Sequence, residues 1–111
     1  MSESIKNHVQ SIADSLTDPN WDELNEGRDI DSEGEFSAFD YLEDALDIEY
    51  IVNGKGEYLG ARVLVAFGGP NIWINTRTKT VEGHWWADSA FASFEDNIGL
   101  DDALSELWAC R

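Results

Sequence analysis

Residues 48–86 read IEYIVNGKGEYLGARVLVAFGGPNIWINTRTKTVEGHWW, and their period is that of a sheet. Residues 48–52 (IEYIV) form a strand, and Asn53-Gly54-Lys55-Gly56 is the turn of a hairpin. Residues 61–67 (ARVLVAF) are almost wholly apolar, the composition of a central strand. Gly68-Gly69-Pro70 breaks that run, and residues 71–76 (NIWINT) supply a third strand. Arg77-Thr78-Lys79 turns the chain into a fourth, residues 80–86.

On either side the period becomes helical. Ile5, Val9, Ile12 and Leu16 fall on one stripe of a first helix, which must stop ahead of Pro19. Asp18-Pro19 reads as the cap and first residue of a short second helix with Trp21 and Leu24. Residues 25–34 are polar, acidic and glycine-punctuated, hence a loop. Phe36, Phe39, Leu42 and Leu46 have the spacing of a third helix over residues 35–46. Leu100, Leu104, Leu107 and Trp108 mark a closing helix within residues 97–109, with Asp101 and Asp102 in its first turn, where the helix dipole favours acid. The reading is α+β: N-terminal helices, a four-stranded antiparallel meander and a C-terminal helix. It makes residues 1–111 one domain, divided into an acidic helical half (1–47), a sheet (48–86) and the closing helix.

The charge is one-sided. The chain has 23 acids and 7 Lys plus Arg in 111 residues, a formal charge of −16. Residues 1–57 carry −13 and residues 58–111 carry −3. From Asp14 to Glu49 there are fourteen acids and a single base, Arg28. Such a surface repels nucleic acid and anionic membrane and attracts basic clefts, which in cells most often hold nucleic acid. A hydrophobic content of 42%, with five Trp and five Phe, argues against a disordered acidic tail. The opening MSESIKNHVQ has no apolar signal core, and no apolar run reaches the ~20 residues of a membrane span. Lone Cys110 excludes an internal disulfide, in keeping with a reducing compartment, and its place beside the C-terminus suits a surface thiol. The cytosol is the expected location.

On the third helix, Asp40, Glu43, Asp44 and Asp47 follow at i, i+3, i+4 and i+7, a ridge of carboxylates about 6 Å apart along the axis. Like charges at that spacing cost a few tenths of a kcal/mol per pair. A merely solvated face mixes signs, and this one has no Lys or Arg. Asp22, Glu23, Glu26, Asp29, Asp31, Glu33 and Glu35 extend the candidate partner-binding set.

Residues 29–40 (DIDSEGEFSAFD) resemble an EF-hand calcium loop. Asp29, Asp31, Glu33, Ser37 and Asp40 stand at loop positions 1, 3, 5, 9 and 12, with Gly34 at position 6. Asp40 is one methylene shorter than the usual bidentate Glu, and Gly27-Arg28 replace the apolar end of the incoming helix. The competing reading is an acidic loop leading into a helix with an anionic first turn. His84-Trp85-Trp86 lacks companions at metal-ligand spacing, since the other histidine is His8. Adjacent tryptophans on a regular strand point to opposite faces; packing is the base expectation for both, and an exposed one makes an interface anchor. Gly68-Gly69-Pro70-Asn71 lacks the Lys-Ser/Thr of a phosphate loop. Arg62, Arg77 and Lys79 are expected to counter acids on the sheet. No nucleophile has a recognisable base partner, so an enzyme is not expected.

In size, charge and asymmetry the chain resembles the small acidic DNA-mimicking anti-restriction and anti-CRISPR proteins of phages and plasmids. The resemblance is one of physical type and covers residues 14–49. It implies an inhibitor without cofactor, acting in a bacterial cytosol by occluding the nucleic-acid cleft of a host nuclease complex. A calcium-binding module is the alternative. A third reading, acid kept for solubility in salt, calls for evenly spread charge, which the −13 to −3 split opposes.

Overall fold

A computed structural model of the protein describes residues 2–111, apart from the side chains of Ser2, Glu3 and Glu33. Helix α1 (Ser2–Thr17) is followed by three short helices, α2 (Trp21–Leu24), α3 (Ile30–Glu33) and α4 (Ala38–Glu43). Strands β1 (Asp47–Val52), β2 (Tyr58–Ala66), β3 (Asn71–Asn75), β4 (Thr80–Trp85) and β5 (Asp88–Ser93) then form one antiparallel sheet in chain order. Helix α5 (Leu100–Ala109) closes the chain.

The sheet has five strands rather than four. Residues 88–93 (DSAFAS) carry few bulky apolar side chains, and Ala90 and Ala92 are small because α1 packs over them. Burial therefore comes from proximity to α1, which an apolar-run reading does not detect. Gly83 has the same cause: a Cβ there would stand 2.5 Å from Val9 Cγ2 and 2.9 Å from Ile5 Cδ1. The missing side chain lets the helix settle on β4.

Alternation along the strands sorts the two sheet faces. Val63, Ile72, Ile74, Val81, Ala90 and Ala92 are buried with Ile5, Val9, Ala13 and Leu16 of α1 and Leu100 and Leu104 of α5. The other face bears Glu49, Arg62, Trp73, Glu82 and Phe91, half-buried to exposed, beside buried Leu64. Principal extents of 46 × 41 × 23 Å agree, since one sheet plus one helix layer is about 20 Å thick.

Two hydrogen-bonded centres hold the start of α5, and the second ties it to the sheet. The Asp96 carboxylate accepts backbone N–H groups from Gly99, Leu100 and Asp101 at 3.0, 2.8 and 2.8 Å, capping the helix from three residues upstream of Gly99. The Asp101 carboxylate accepts from the Tyr58 hydroxyl at 2.7 Å and lies 3.0 Å from the Thr76 hydroxyl. Thr76, almost wholly buried, also accepts the Ala61 N–H at 2.9 Å. Burial, then the bond to Asp101, raises the Tyr58 hydroxyl pKa above its ordinary value.

Candidate functional site: the acidic segment

The expected ridge does not form on one helix. Residues 35–46 hold only the six residues of α4, and Asp44 is its C-cap. Asp47 belongs to β1. Two forces end the helix early. It has no base in its last turn, where further acids oppose the dipole. The Leu46 N–H donates to the Leu64 carbonyl at 2.8 Å and draws the chain into the sheet. The apolar stripe shifts accordingly. Ala38 and Leu42 are buried and Tyr41 packs on the core, whereas Phe39 and Leu46 are exposed. The α2 cap also differs: Asn20 accepts the Glu23 N–H at 3.2 Å, two residues after the Asp18 expected in that role.

Asp40 separates from the other acids. Its carboxylate accepts the Ser37 backbone N–H at 2.9 Å and the Ser37 hydroxyl at 3.1 Å, and Arg28 Nη2 stands 3.6 Å away. The Ser37 backbone bond, joined by its hydroxyl and the Arg28 charge, holds the Asp40 pKa below its ordinary value against a smaller opposing desolvation. Asp40 is thus an internal cap of α4, tied to the one base of its segment. By contrast Asp22, Glu23, Glu26, Asp29, Asp31, Glu35, Glu43, Asp44 and Asp47 are exposed. The Glu33 side chain lies outside the described residues.

In the calcium-like loop, the oxygens at three ligand positions are engaged locally. Asp29 accepts the Asp31 N–H at 3.2 Å as the N-cap of α3, and Asp40 caps α4 together with Ser37. A cation on Asp40 would compete with Arg28, which also donates from Nε to the Gly34 carbonyl at 3.2 Å. Among the described residues no group of three or more His, Cys, Asp or Glu converges to hold a metal.

The acidic segment also exposes large apolar side chains, which its spacing had assigned to helix stripes or left in loops. Trp21, Ile30, Phe39 and Leu46 all stand in water between the acids. Amid charge, such residues have the composition of an interface core inside a polar rim. The paired tryptophans divide: Trp85 packs against the core and Trp86 is 91% exposed. Trp86-Ala87 is the two-residue turn between paired Trp85 and Asp88, and Trp86 takes φ 58°. Glycine is favoured at a left-handed hairpin position; a bulky residue costs about 1–2 kcal/mol there.

The sheet bases behave unequally. Arg62 bonds Glu49 at 3.0 Å, reaches Glu82 at 3.7 Å and lies 4.2 Å above the Trp73 ring. Lys79 donates to the Thr76 carbonyl at 3.1 Å, and neither it nor Arg77 has an acid within 4.0 Å among the described residues. Only Arg62 therefore meets the expectation of charge pairing, because Arg77 and Lys79 lie in the β3–β4 turn beyond the acids of the sheet face. Cys110 is exposed, and no helix among the described residues is long and apolar enough to cross a membrane.

The chain matches no protein-family model, no curated protein and no solved structure.

Proposed function

We propose that this protein is an acidic inhibitor that occupies the basic nucleic-acid cleft of a host defence nuclease complex, a CRISPR effector or restriction enzyme, as a surrogate for DNA. The observation that carries this reading is the exposure of nine acids of residues 22–47 in water, while the segment's single base is engaged with Asp40. Duplex DNA presents one charge per about 1.7 Å of axis, and its binders meet it with Lys and Arg. Exposed carboxylates meet the same side chains with charge-assisted bonds, bidentate to Arg, and the net charge steers encounter. Trp21, Ile30, Phe39 and Leu46 supply apolar contact that DNA lacks, so the surrogate outlasts the phosphate it replaces. The mechanism is occlusion in a bacterial cytosol, with no catalysis and no cofactor.

The test is affinity capture from a bacterial lysate with a salt gradient, repeated with added duplex DNA. A nuclease complex that elutes as salt rises and is displaced by DNA supports the reading. The variant Glu43→Lys, Asp44→Lys, Asp47→Lys leaves Asp40 to hold the fold and is expected to lose capture at least tenfold. Capture that survives both added DNA and the triple reversal sinks the proposal.

A further inference from the structure

Strand β5 is the edge of the sheet and has no strand beyond it. Its hydrogen-bond phase can be read from its end. The Phe94 N–H donates to the Lys79 carbonyl at 3.0 Å, in the same register that pairs Ser93 with Thr80 and Phe91 with Glu82. Antiparallel ladders alternate between bonded and non-bonded pairs. Residues 92, 90 and 88 therefore bond β4, while Ser89, Phe91 and Ser93 direct their N–H and C=O groups away from the sheet.

Unpaired edges are ordinarily blunted by charge, proline or bulges. The opposite edge, β1, follows that rule, with Asp47 and Glu49 on it and a register shift at Ile51/Val52. β5 has none of these devices between Ser89 and Ser93: no charge, no proline, no irregularity. At its centre Phe91 is 62% exposed on the face it shares with Glu82 and Trp73, with His84 edge-on at 6.0 Å.

We infer that β5 is a self-association edge, and that its occupant is β5 of a second copy, antiparallel about a two-fold axis at Phe91. The sequence is self-complementary in that register. Ser89 falls opposite Ser93 of the second copy and Phe91 opposite its counterpart, both as bonded pairs, so all six outward groups are satisfied at once. The two Phe91 rings become a cross-strand aromatic pair on the face that bears Glu82 and Trp73, with Cα atoms about 5.5 Å apart. Ala90 and Ala92 meet on the helix side without bulk. Asp88 falls opposite Phe94, so no like charges are apposed. Within β5 itself the single acid is Asp88, at its first residue. The result is a closed, isologous ten-stranded sheet.

The electrostatic sign is distinctive. Two bodies of −16 repel, so association strengthens as salt rises, the opposite of binding to a basic cleft. The experiment is sedimentation equilibrium of the full chain from about 10 μM to about 1 mM, in about 50 mM and about 500 mM salt. The expected result is a monomer–dimer equilibrium that shifts to dimer at the higher salt. Phe91→Lys lowers the net negative charge, which by repulsion alone would favour dimer, yet it is expected to weaken association at least tenfold. Leu46→Lys, the same charge change in the segment leading to the opposite edge, does not weaken it. On the unmodified chain, amide exchange at Ser89, Phe91 and Ser93 slows as concentration rises. A monomer at every concentration and salt overturns the inference. So does a dimer indifferent to Phe91→Lys, dissociation by Leu46→Lys, or edge amides whose exchange ignores concentration.

Discussion

Single residues divide into those that hold the fold and those left free to meet a partner, and Asp101 and Trp86 are the extremes. Asp101 joins Tyr58 and Thr76 across 43 and 25 residues of sequence. Asp101→Ala is expected to cost about 1–3 kcal/mol in urea denaturation, because it removes the carboxylate that the Tyr58 phenol bonds and leaves the Thr76 hydroxyl only the longer bond to the Ala61 carbonyl at 3.3 Å. The raised Tyr58 pKa fixes a sign in alkali. A group whose folded pKa lies above its unfolded value contributes stability below the unfolded pKa and loses it above. Stability should therefore fall as pH rises beyond the ordinary tyrosine range near 10, and Tyr58→Phe should flatten that fall in pH-dependent melts. Asp40 acts oppositely: its lowered pKa makes stability drop in acid as pH falls below the ordinary aspartate range, and Asp40→Asn should reduce that dependence. At Trp86 the left-handed backbone and the exposed ring work against the isolated fold. Trp86→Gly should raise stability by about 0.5–1 kcal/mol, the relieved strain less glycine's entropy, as read by thermal denaturation.

At the scale of elements, α1 is seated by a side chain that is absent. Gly83→Ala is expected to destabilise by about 1–3 kcal/mol, since Val9 and Ile5 are fully buried and must yield. A variant of unchanged stability would place α1 further from β4 than described. The long elements were legible in the sequence because their periodicity is dense: the stripe of Ile5, Val9 and Leu16, and the apolar run of β2. The extent of helix α4 and the existence of strand β5 were not. The stripe of residues 35–46 matched a helix, yet the Leu46–Leu64 bond to the sheet outcompetes about one more helical turn at the acid-laden end. β5 hides because its inward side chains are alanines, chosen by the closeness of α1 rather than by strand propensity.

For the molecule as a whole, charge is the largest perturbation. Self-repulsion at −16 destabilises the compact state, so the thermal midpoint should climb as salt is raised from about 0.01 M to about 0.5 M. A midpoint that ignores salt would mean the acids are already compensated. The two proposals, binding to a basic cleft and pairing along β5, call for opposite responses of association to salt. One salt series on the free chain and one on a captured complex separate them.

Composition and spacing by themselves determined the class of the fold, the position of its central strands and the lopsided acid, because hydrophobic period and net charge are local sums along the chain. Only the tertiary structure decided which acids are available. Asp40, at the head of the expected ridge, is tied to Ser37 and Arg28, whereas Asp44 and Asp47 leave the helix for its cap and for the sheet. It also decided that β5 ends the sheet with Phe91 in water. A carboxylate's freedom and a strand's outer edge depend on which distant residues arrive beside them, and spacing along the chain does not carry that information.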